Sequence, residues 1–152
     1  MSVAAPRTAE VRKADTLAKL QAREMDVWVS SASAAGAYLV PLSLAWIGER
    51  VVLALAADSR TARNIVESGA ARLALGPTRD VVIIDAVLEQ SIGLADAPVA
   101  IAEGYASQSD WDPRTAGEGY VFLVLRPERI QAWRESNELP GRTLMRNGSW
   151  IA

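Results

Sequence analysis

Two arginines lie close together where an apolar stretch gives way to a helix-forming one. In LALAADSRTARNIVESG, residues 53–69, Arg60 and Arg63 fall in the first turn or so of a helix that we predict from about Ser59 to Ser68. Cations at this end oppose the helix dipole and cost roughly 0.3–1 kcal/mol each when exposed. A bound anion reverses that sign, because the dipole, the free N–H groups and both guanidinium groups then point at one phosphate.

The same stretch predicts which side of the helix faces the protein. Spacings of three and four residues place Asn64 on the outward face together with the two arginines. Three apolar residues form the opposite face, which we expect to pack on the protein: Ala62, Ile65 and Val66. The alternative to an anion site is that both arginines are solvated, or pair with Asp58 and Glu67. Spacing alone does not separate the two interpretations.

Composition bounds the fold and excludes several kinds of chemistry. The 152 residues are 50% hydrophobic and carry a net charge of −2, which predicts one domain with a substantial core and argues against a general nucleic-acid binder. The chain has no cysteine and no histidine. Disulfides, thiolate metal sites, the Ser-His triad and most zinc chemistry are therefore excluded. We predict no metal site and no nucleic-acid partner.

No segment has the length of a membrane span. The longest apolar runs, near residues 51–57 and 81–84, are far shorter than the roughly 20 residues that a membrane helix needs. Residues 1–24 carry mixed charges and lack the apolar core of a signal peptide. We expect a soluble, cytoplasmic protein with no membrane partner.

The N-terminal half predicts one helix followed by strands. Strong helix formers occupy residues 8–24, and β-branched and aromatic residues follow in VWVSSAS, residues 27–33. A hairpin is predicted next, with arms at 38–47 and 51–57 and its turn at Gly48-Glu49. A proline in its first arm, at position 41, cannot donate to a ladder, so that arm must have an edge, a bulge or a bend there.

The C-terminal half predicts four further strands, one helix and a terminal hairpin. Short strands are expected near 71–75 and 81–92, and the alanine-rich stretch 94–107 is typical of a helix. Residues 119–135 predict two strands with a turn near Arg126-Pro127-Glu128, and the chain ends in a hairpin around Asn147-Gly148. The total is six to eight strands and about three helices with short connections. This pattern favours a mainly antiparallel barrel or sandwich over a doubly wound parallel sheet.

The order of these segments resembles a known family over about residues 26–135. The strand VWVSSAS, the hairpin YLVPLSLAWIGERVVLALA, the helix start SRTARNI and the strand ARLALG are similar to the flavin-binding split-barrel superfamily of pyridoxamine 5′-phosphate oxidase. The resemblance implies a mainly β fold with α: a six-stranded antiparallel split β-barrel with about three flanking helices. Residues 1–152 would form a single domain, with an N-terminal helix in 1–24, the barrel core in 26–135 and a C-terminal hairpin in 136–152.

The resemblance also implies a cofactor site. Such barrels are homodimers that hold FMN in a groove between the subunits, and the helix start binds its phosphate. Carried over by position, the phosphate ligands are Ser59, Arg60, Arg63 and Asn64. The strand residues expected along the flavin ring are Val40, Pro41, Leu42 and Ser43. Trp46 is either a further neighbour of the ring or a core residue.

The resemblance leaves the substrate open. Pyridoxamine phosphate oxidases carry an Arg-x-His motif near the C-terminus, whereas this chain has GRTLMRNGSW and no histidine. Arg142 is a candidate for holding an anionic substrate, and Trp111 either closes the groove from the partner subunit or anchors a turn. Four groups could handle protons, each with a turn or surface interpretation: Asp85, Tyr105, Asp110 and Asp112. No catalytic residue is predicted.

The function implied is that of an FMN-dependent oxidoreductase that transfers hydride to or from a small organic substrate. Two alternatives remain open. The chain resembles the small actinobacterial-type members of the family, several of which use an 8-hydroxy-5-deazaflavin coenzyme in place of FMN. The long anionic tail of that coenzyme also requires basic residues at the helix start. The chain could instead be a flavin-binding carrier without catalytic activity.

Overall fold

Antiparallel strands make up most of the fold, as the apolar patterning predicts. The computed structural model describes residues 3–152. Its helices are α1 (Ala9–Gln21), α2 (Arg60–Ser68) and α3 (Val99–Gln108). Its strands are β1 (Asp26–Ser33), β2 (Gly36–Ser43), β3 (Ala45–Ile47), β4 (Arg50–Ala56), β5 (Ala70–Leu75), β6 (Val81–Gly93), β7 (Tyr120–Trp133), β8 (Thr143–Arg146) and β9 (Ser149–Trp150).

All these strands form one sheet in the order β2-β1-β5-β6-β7-β4-β3, with β8 paired to β7 and β9 paired to β8. Every pairing is antiparallel. The predicted mainly β architecture with three helices is confirmed, and it is consistent with a split barrel. The six-strand count is not confirmed, because the sheet has nine strands and its pairing does not close.

The predicted hairpin arm at 38–47 is wrong as a single strand. Its first part belongs to β2 and pairs with β1, with Val40 opposite Val29, whereas its last part is β3 and pairs with β4, with Trp46 opposite Val51. The chain changes partner at Leu44, whose side chain is completely buried and whose N–H donates to the Met25 carbonyl. Burial of that one side chain divides the arm.

Two turn predictions had different outcomes. The turn at Gly48-Glu49 is confirmed, and both residues have positive φ. The turn at 126–128 is wrong, because β7 runs unbroken through it. Pro127 lies opposite Ala86 and Arg129 lies opposite Asp85, which leaves Glu128 as an extra residue in a β-bulge. A bulge accommodates a proline in a strand without breaking it.

Local capping decides the helix ends. The hydroxyl of Thr8 accepts from the Val11 N–H and begins α1, which ends at Gln21 rather than near residue 24. The predicted helix over 94–107 begins only at Val99, because Pro98 disfavours helical backbone at the residue before it. Residues 94–96 form a separate 3₁₀ turn.

Two apolar clusters hold the sheet together. The larger one fills the inside of the curved sheet and includes Val29, Leu53, Ile65 and Ile84. The smaller one lies between α3 and the strands β4 and β7, around Tyr105 and Phe122. No helix within residues 3–152 has both the length and the hydropathy needed to cross a membrane.

Candidate functional site

The start of α2 follows directly from the end of β4. Ser59 is the N-cap, with its hydroxyl accepting from the Ala62 N–H at 3.2 Å and its carbonyl from the Arg63 N–H at 3.0 Å. The amides of Arg60 and Thr61 lie in the first turn, where helix geometry provides no intrahelical acceptor. The predicted helix from Ser59 to Ser68 is confirmed, and it ends at Gly69 in the left-handed conformation.

The orientation of α2 differs from the prediction at two positions. Asn64 is 4% exposed and faces the barrel, whereas Val66 is 52% exposed and faces solvent. The buried face instead consists of Thr61, Ala62, Asn64 and Ile65. The physical reason is a specific partner: the Nδ2 atom of Asn64 donates to the Oγ atom of Ser31 on β1 at 3.2 Å, with both side chains buried.

The two arginines form no ion pair with any carboxylate that the structure describes. Among residues 3–152, neither Arg60 nor Arg63 has an acidic oxygen within the 4.0 Å limit of an ion pair. The alternative pairing with Asp58 and Glu67 is therefore not what the structure shows. Arg60 instead stacks on an aromatic ring, with its guanidinium carbon 4.6 Å from the centroid of Tyr38 on β2. Arg63 is exposed.

The strand predicted to line the flavin ring runs away from this point. Val40 and Leu42 pack against the larger apolar cluster, the one around Val29, Leu53, Ile65 and Ile84, which we call the inner cluster. They lie on the same side of β2 as Tyr38. Pro41 and Ser43 face the other side. Of the three alternatives predicted for the proline, an edge, a bulge or a bend, the structure has the edge, because β2 ends the sheet. Ser43 lies five residues beyond Tyr38, about 17 Å along an extended strand. The N-terminal part of β2 therefore lies beside Arg60, through Tyr38, and the strand runs away from it.

A polar and aromatic cluster surrounds the far end of β2. The Oγ atom of Ser43 donates to Oδ1 of Asp110 at 3.5 Å. Tyr105 is buried, and this burial raises its pKa to about 12 although hydrogen bonds with Trp111, Ala54 and Ser43 oppose the shift. Tyr105 is therefore a neutral phenol at neutral pH.

Trp111 and Trp46 have packing partners. Trp111 makes edge contacts with Tyr105, at a centroid distance of 6.2 Å, and with Tyr120, at 5.8 Å. Trp46 packs against the inner cluster, and its backbone N–H donates to Oε1 of Gln108. These contacts suit the anchoring interpretation of Trp111 and the core interpretation of Trp46.

The other candidate groups lie elsewhere or are occupied. Arg142 donates to the Leu139 carbonyl just before β8, which pairs with β7 and β9, whereas α2 packs on β1, β2, β5 and β6. Asp85 pairs with Arg72. Asp112 is bound by Arg114, whose hydrogen bonds hold the pKa of Asp112 below its ordinary value. No group of three or more metal-ligating side chains occurs in the part of the chain that the structure describes.

Sequence reasoning missed Tyr38 and Ser31. An aromatic residue on a strand is ordinarily a core residue, so Tyr38 by its type alone does not indicate a functional site. The available signal was its spacing of two and four residues from Val40 and Leu42, which places all three on one face of β2.

No family model and no curated protein matches the sequence, whereas several solved structures are similar to the fold. An F420 reductase is 17% identical with a TM-score of 0.61, over 74% of this chain and 94% of its own. A candidate pyridoxamine 5′-phosphate oxidase from Listeria innocua is 10% identical with a TM-score of 0.60, over 82% and 99%. HutZ, the heme storage protein from Vibrio cholerae, is 11% identical with a TM-score of 0.63, over 83% and 95%. At these identities the likeness shows a shared fold.

Proposed function

We propose that this chain, whose fold is that of the pyridoxamine 5′-phosphate oxidase-like split-barrel proteins, is an FMN-dependent oxidoreductase that holds the FMN phosphate at the start of α2. The observation that carries the proposal is the pair of guanidinium groups at a capped helix N-terminus, neither of which has a carboxylate partner among residues 3–152. Arg60 and Arg63 oppose the helix dipole there, and a bound anion would turn that unfavourable arrangement into a favourable one.

The described residues fit a phosphate group. Arg60 and Arg63 offer forked N–H donors, and the first-turn amides of Arg60 and Thr61 add neutral ones. The hydroxyl of Ser59 accepts from Ala62, so its hydrogen remains free to donate to a phosphate oxygen. Asn64 contributes by holding α2 against Ser31.

The flavin ring, when bound, supplies the redox chemistry by hydride transfer at its ring position 5. The work of this chain is then to bind the phosphate, to orient the ring along β2 through Val40, Pro41, Leu42 and Ser43, and to exclude water. None of these tasks requires a side-chain acid or base. The absence of histidine and cysteine from the sequence is compatible with such chemistry. Arg142 and Trp111 remain candidates for substrate contact only if a partner subunit brings them to the groove.

A deazaflavin-dependent reductase is the second candidate. The similar structure named an F420 reductase supports this candidate. An anionic tail would use the same arginines. A flavin carrier without turnover would share the binding site and differ only in the absence of a substrate.

Heme appears in the names of two similar structures, HutZ and a heme binding protein from Mycobacterium smegmatis. Histidine and cysteine are the usual axial ligands of heme iron in many proteins, and this chain has neither. The residues present therefore favour a flavin over heme.

The proposed enzyme is a homodimer with the cofactor between its subunits. One face of the sheet supports this, because Trp28 is 52% exposed and Leu39 is 58% exposed on the strands next to the open edge. Pairing places apolar residues in a row across it, with Pro41 opposite Trp28, Trp28 opposite Ala74 and Ala74 opposite Ile83. We call these residues the outer face: Trp28, Leu39, Pro41, Ala74 and Ile83. Large apolar groups in one exposed row are typical of a contact surface.

Separate titrations of the apo-protein with FMN and with the deazaflavin coenzyme test the proposal. FMN should bind, colour the protein yellow and bleach with dithionite, and turnover with a reductant then distinguishes an enzyme from a carrier. Preferential binding of the deazaflavin coenzyme would favour the second candidate. Binding of neither cofactor would contradict the proposed function.

A further inference from the structure

We infer that Tyr38 is a positioning residue for the cofactor phosphate, because it holds the guanidinium of Arg60 in place before the ligand arrives. This inference rests on the proposed function and extends it to a residue outside the predicted site. The observation is the stack of Arg60 on Tyr38, with 4.6 Å between the guanidinium carbon and the ring centroid.

The stack matters because an arginine side chain is long and flexible. An unrestrained arginine loses rotamer freedom when it binds a ligand, and that loss weakens binding. A guanidinium already stacked on an aromatic face keeps its N–H edge free for a phosphate while its flat face is held. Arg63 has no such stack within residues 3–152, so the two arginines have different roles.

The strands hold α2 at two neighbouring points. Tyr38 and Ser31 lie directly opposite each other in the β1–β2 register. Tyr38 stacks with Arg60 and Ser31 accepts from Asn64, and these two helix residues are four apart on α2. Residues with that spacing lie one above the other on a helix. One cross-strand pair thus fixes both the rotation of α2 and the direction of Arg60.

Comparing FMN with riboflavin isolates this role. Riboflavin has the same ring and ribityl chain without the phosphate, so a phosphate-positioning residue should affect FMN alone. We expect Tyr38→Leu to weaken FMN binding about fivefold, equivalent to roughly 1 kcal/mol, and to leave riboflavin binding unchanged. Tyr38→Phe keeps the aromatic face and should restore FMN affinity. Flavin fluorescence gives both dissociation constants for the full chain.

Double variants assign the effect to one arginine. The loss caused by Tyr38→Leu should vanish when Arg60→Ala is already present, and should persist when Arg63→Ala is present. Trp150→Leu is the matched control, because it removes the stack of Lys13 on Trp150 and should not change the preference for FMN. If Tyr38→Leu does not fold, as judged by circular dichroism, the β-branched Tyr38→Ile replaces it.

The outcomes separate the two ideas. If the wild-type protein binds FMN no better than riboflavin, or binds neither, the proposed phosphate site at α2 is contradicted. The positioning role of Tyr38 is then contradicted as well. If Arg60→Ala removes the preference for FMN but Tyr38→Leu keeps it, the site stands and only the inference about Tyr38 is overturned. Equal weakening of both ligands by Tyr38→Leu would also overturn it, because Tyr38 would then act on the ring or on the fold.

Discussion

Asn64 on α2 and Ser31 on β1 form a buried side-chain hydrogen bond, with 3.2 Å between Nδ2 and Oγ. Both residues are at most 4% exposed. A buried polar side chain needs a partner, since leaving it unpaired costs about 1–3 kcal/mol. This bond therefore determines which side of α2 faces the barrel, and with it the direction in which Arg60 and Arg63 project.

Removing the amide of Asn64 should destabilise the protein. We expect Asn64→Ala to lower the free energy of unfolding by about 1–3 kcal/mol, because the Ser31 hydroxyl loses its partner inside the barrel. Urea denaturation measures the loss. Glu67→Ala changes an exposed residue of the same helix and should stay within about 0.5 kcal/mol of wild type. Equal stability of the two variants would show that the bond does not hold α2.

The arginine pair should dominate cofactor affinity. The double variant Arg60→Ala with Arg63→Ala is expected to lose several kcal/mol of FMN binding, at roughly 1.5–3 kcal/mol for each charged hydrogen bond. Flavin fluorescence titration gives the dissociation constants. Arg23→Ala removes another exposed arginine that has no ion pair among the described residues, and it should bind FMN like the wild type. Unchanged affinity in the double variant would rule out the phosphate site.

Acid should weaken the protein through Glu138. Its carboxylate accepts from the Nε, Nη2 and backbone N–H groups of Arg7 and from the Arg134 N–H. The Arg7 side chain is the largest cause that lowers the Glu138 pKa, from its ordinary 4.5 to about 2. A carboxyl group whose pKa is lower in the folded state stabilises the protein at pH values above its pKa in the unfolded chain. That stabilisation is lost as the pH falls towards the pKa of the folded state. The contribution, about 3 kcal/mol, should thus decline between about pH 4.5 and about pH 2.

Urea midpoints measured down this pH range test the role of Glu138. In Glu138→Gln the stability at neutral pH should be lower, and most of the decline on acidification should be gone. Glu103→Gln removes a carboxylate whose ion pair with Arg114 is largely exposed, so its pH profile should follow the wild type. An unaltered acid profile in Glu138→Gln would mean that other carboxylates control acid unfolding.

Charge on the outer face should separate the proposed dimer. Trp28→Glu places a carboxylate in an apolar row without touching the core, because the side chain is already 52% exposed. Light scattering after size exclusion should show two chains for the wild type and one, of 16.3 kDa, for Trp28→Glu. Val99→Glu adds the same charge to a 76% exposed residue of α3 and should remain dimeric. A monomeric wild-type protein would contradict the proposed dimer. A dimeric Trp28→Glu variant would contradict the proposal that the outer face is the dimer interface.

The sequence by itself determined the local features of the site. The helix from about Ser59 to Ser68 and the arginines in its first turn were predicted because helix boundaries depend on residues that are near neighbours in the chain. The mainly antiparallel architecture was also predictable, since apolar alternation and short connections depend on adjacent residues. The missing N–H of Pro41 predicted an edge, a bulge or a bend in its strand, and the structure has the edge.

Tertiary structure alone decided how these parts meet. Burial of Leu44 assigned the two halves of one predicted arm to different strand partners, and a bulge carried β7 through Pro127. Asn64 faces inward and donates to Ser31, and the guanidinium of Arg60 lies over the ring of Tyr38. Each outcome depends on residues far apart in the chain. Local periodicity shows that a residue needs a partner, but only the folded packing selects which one it receives.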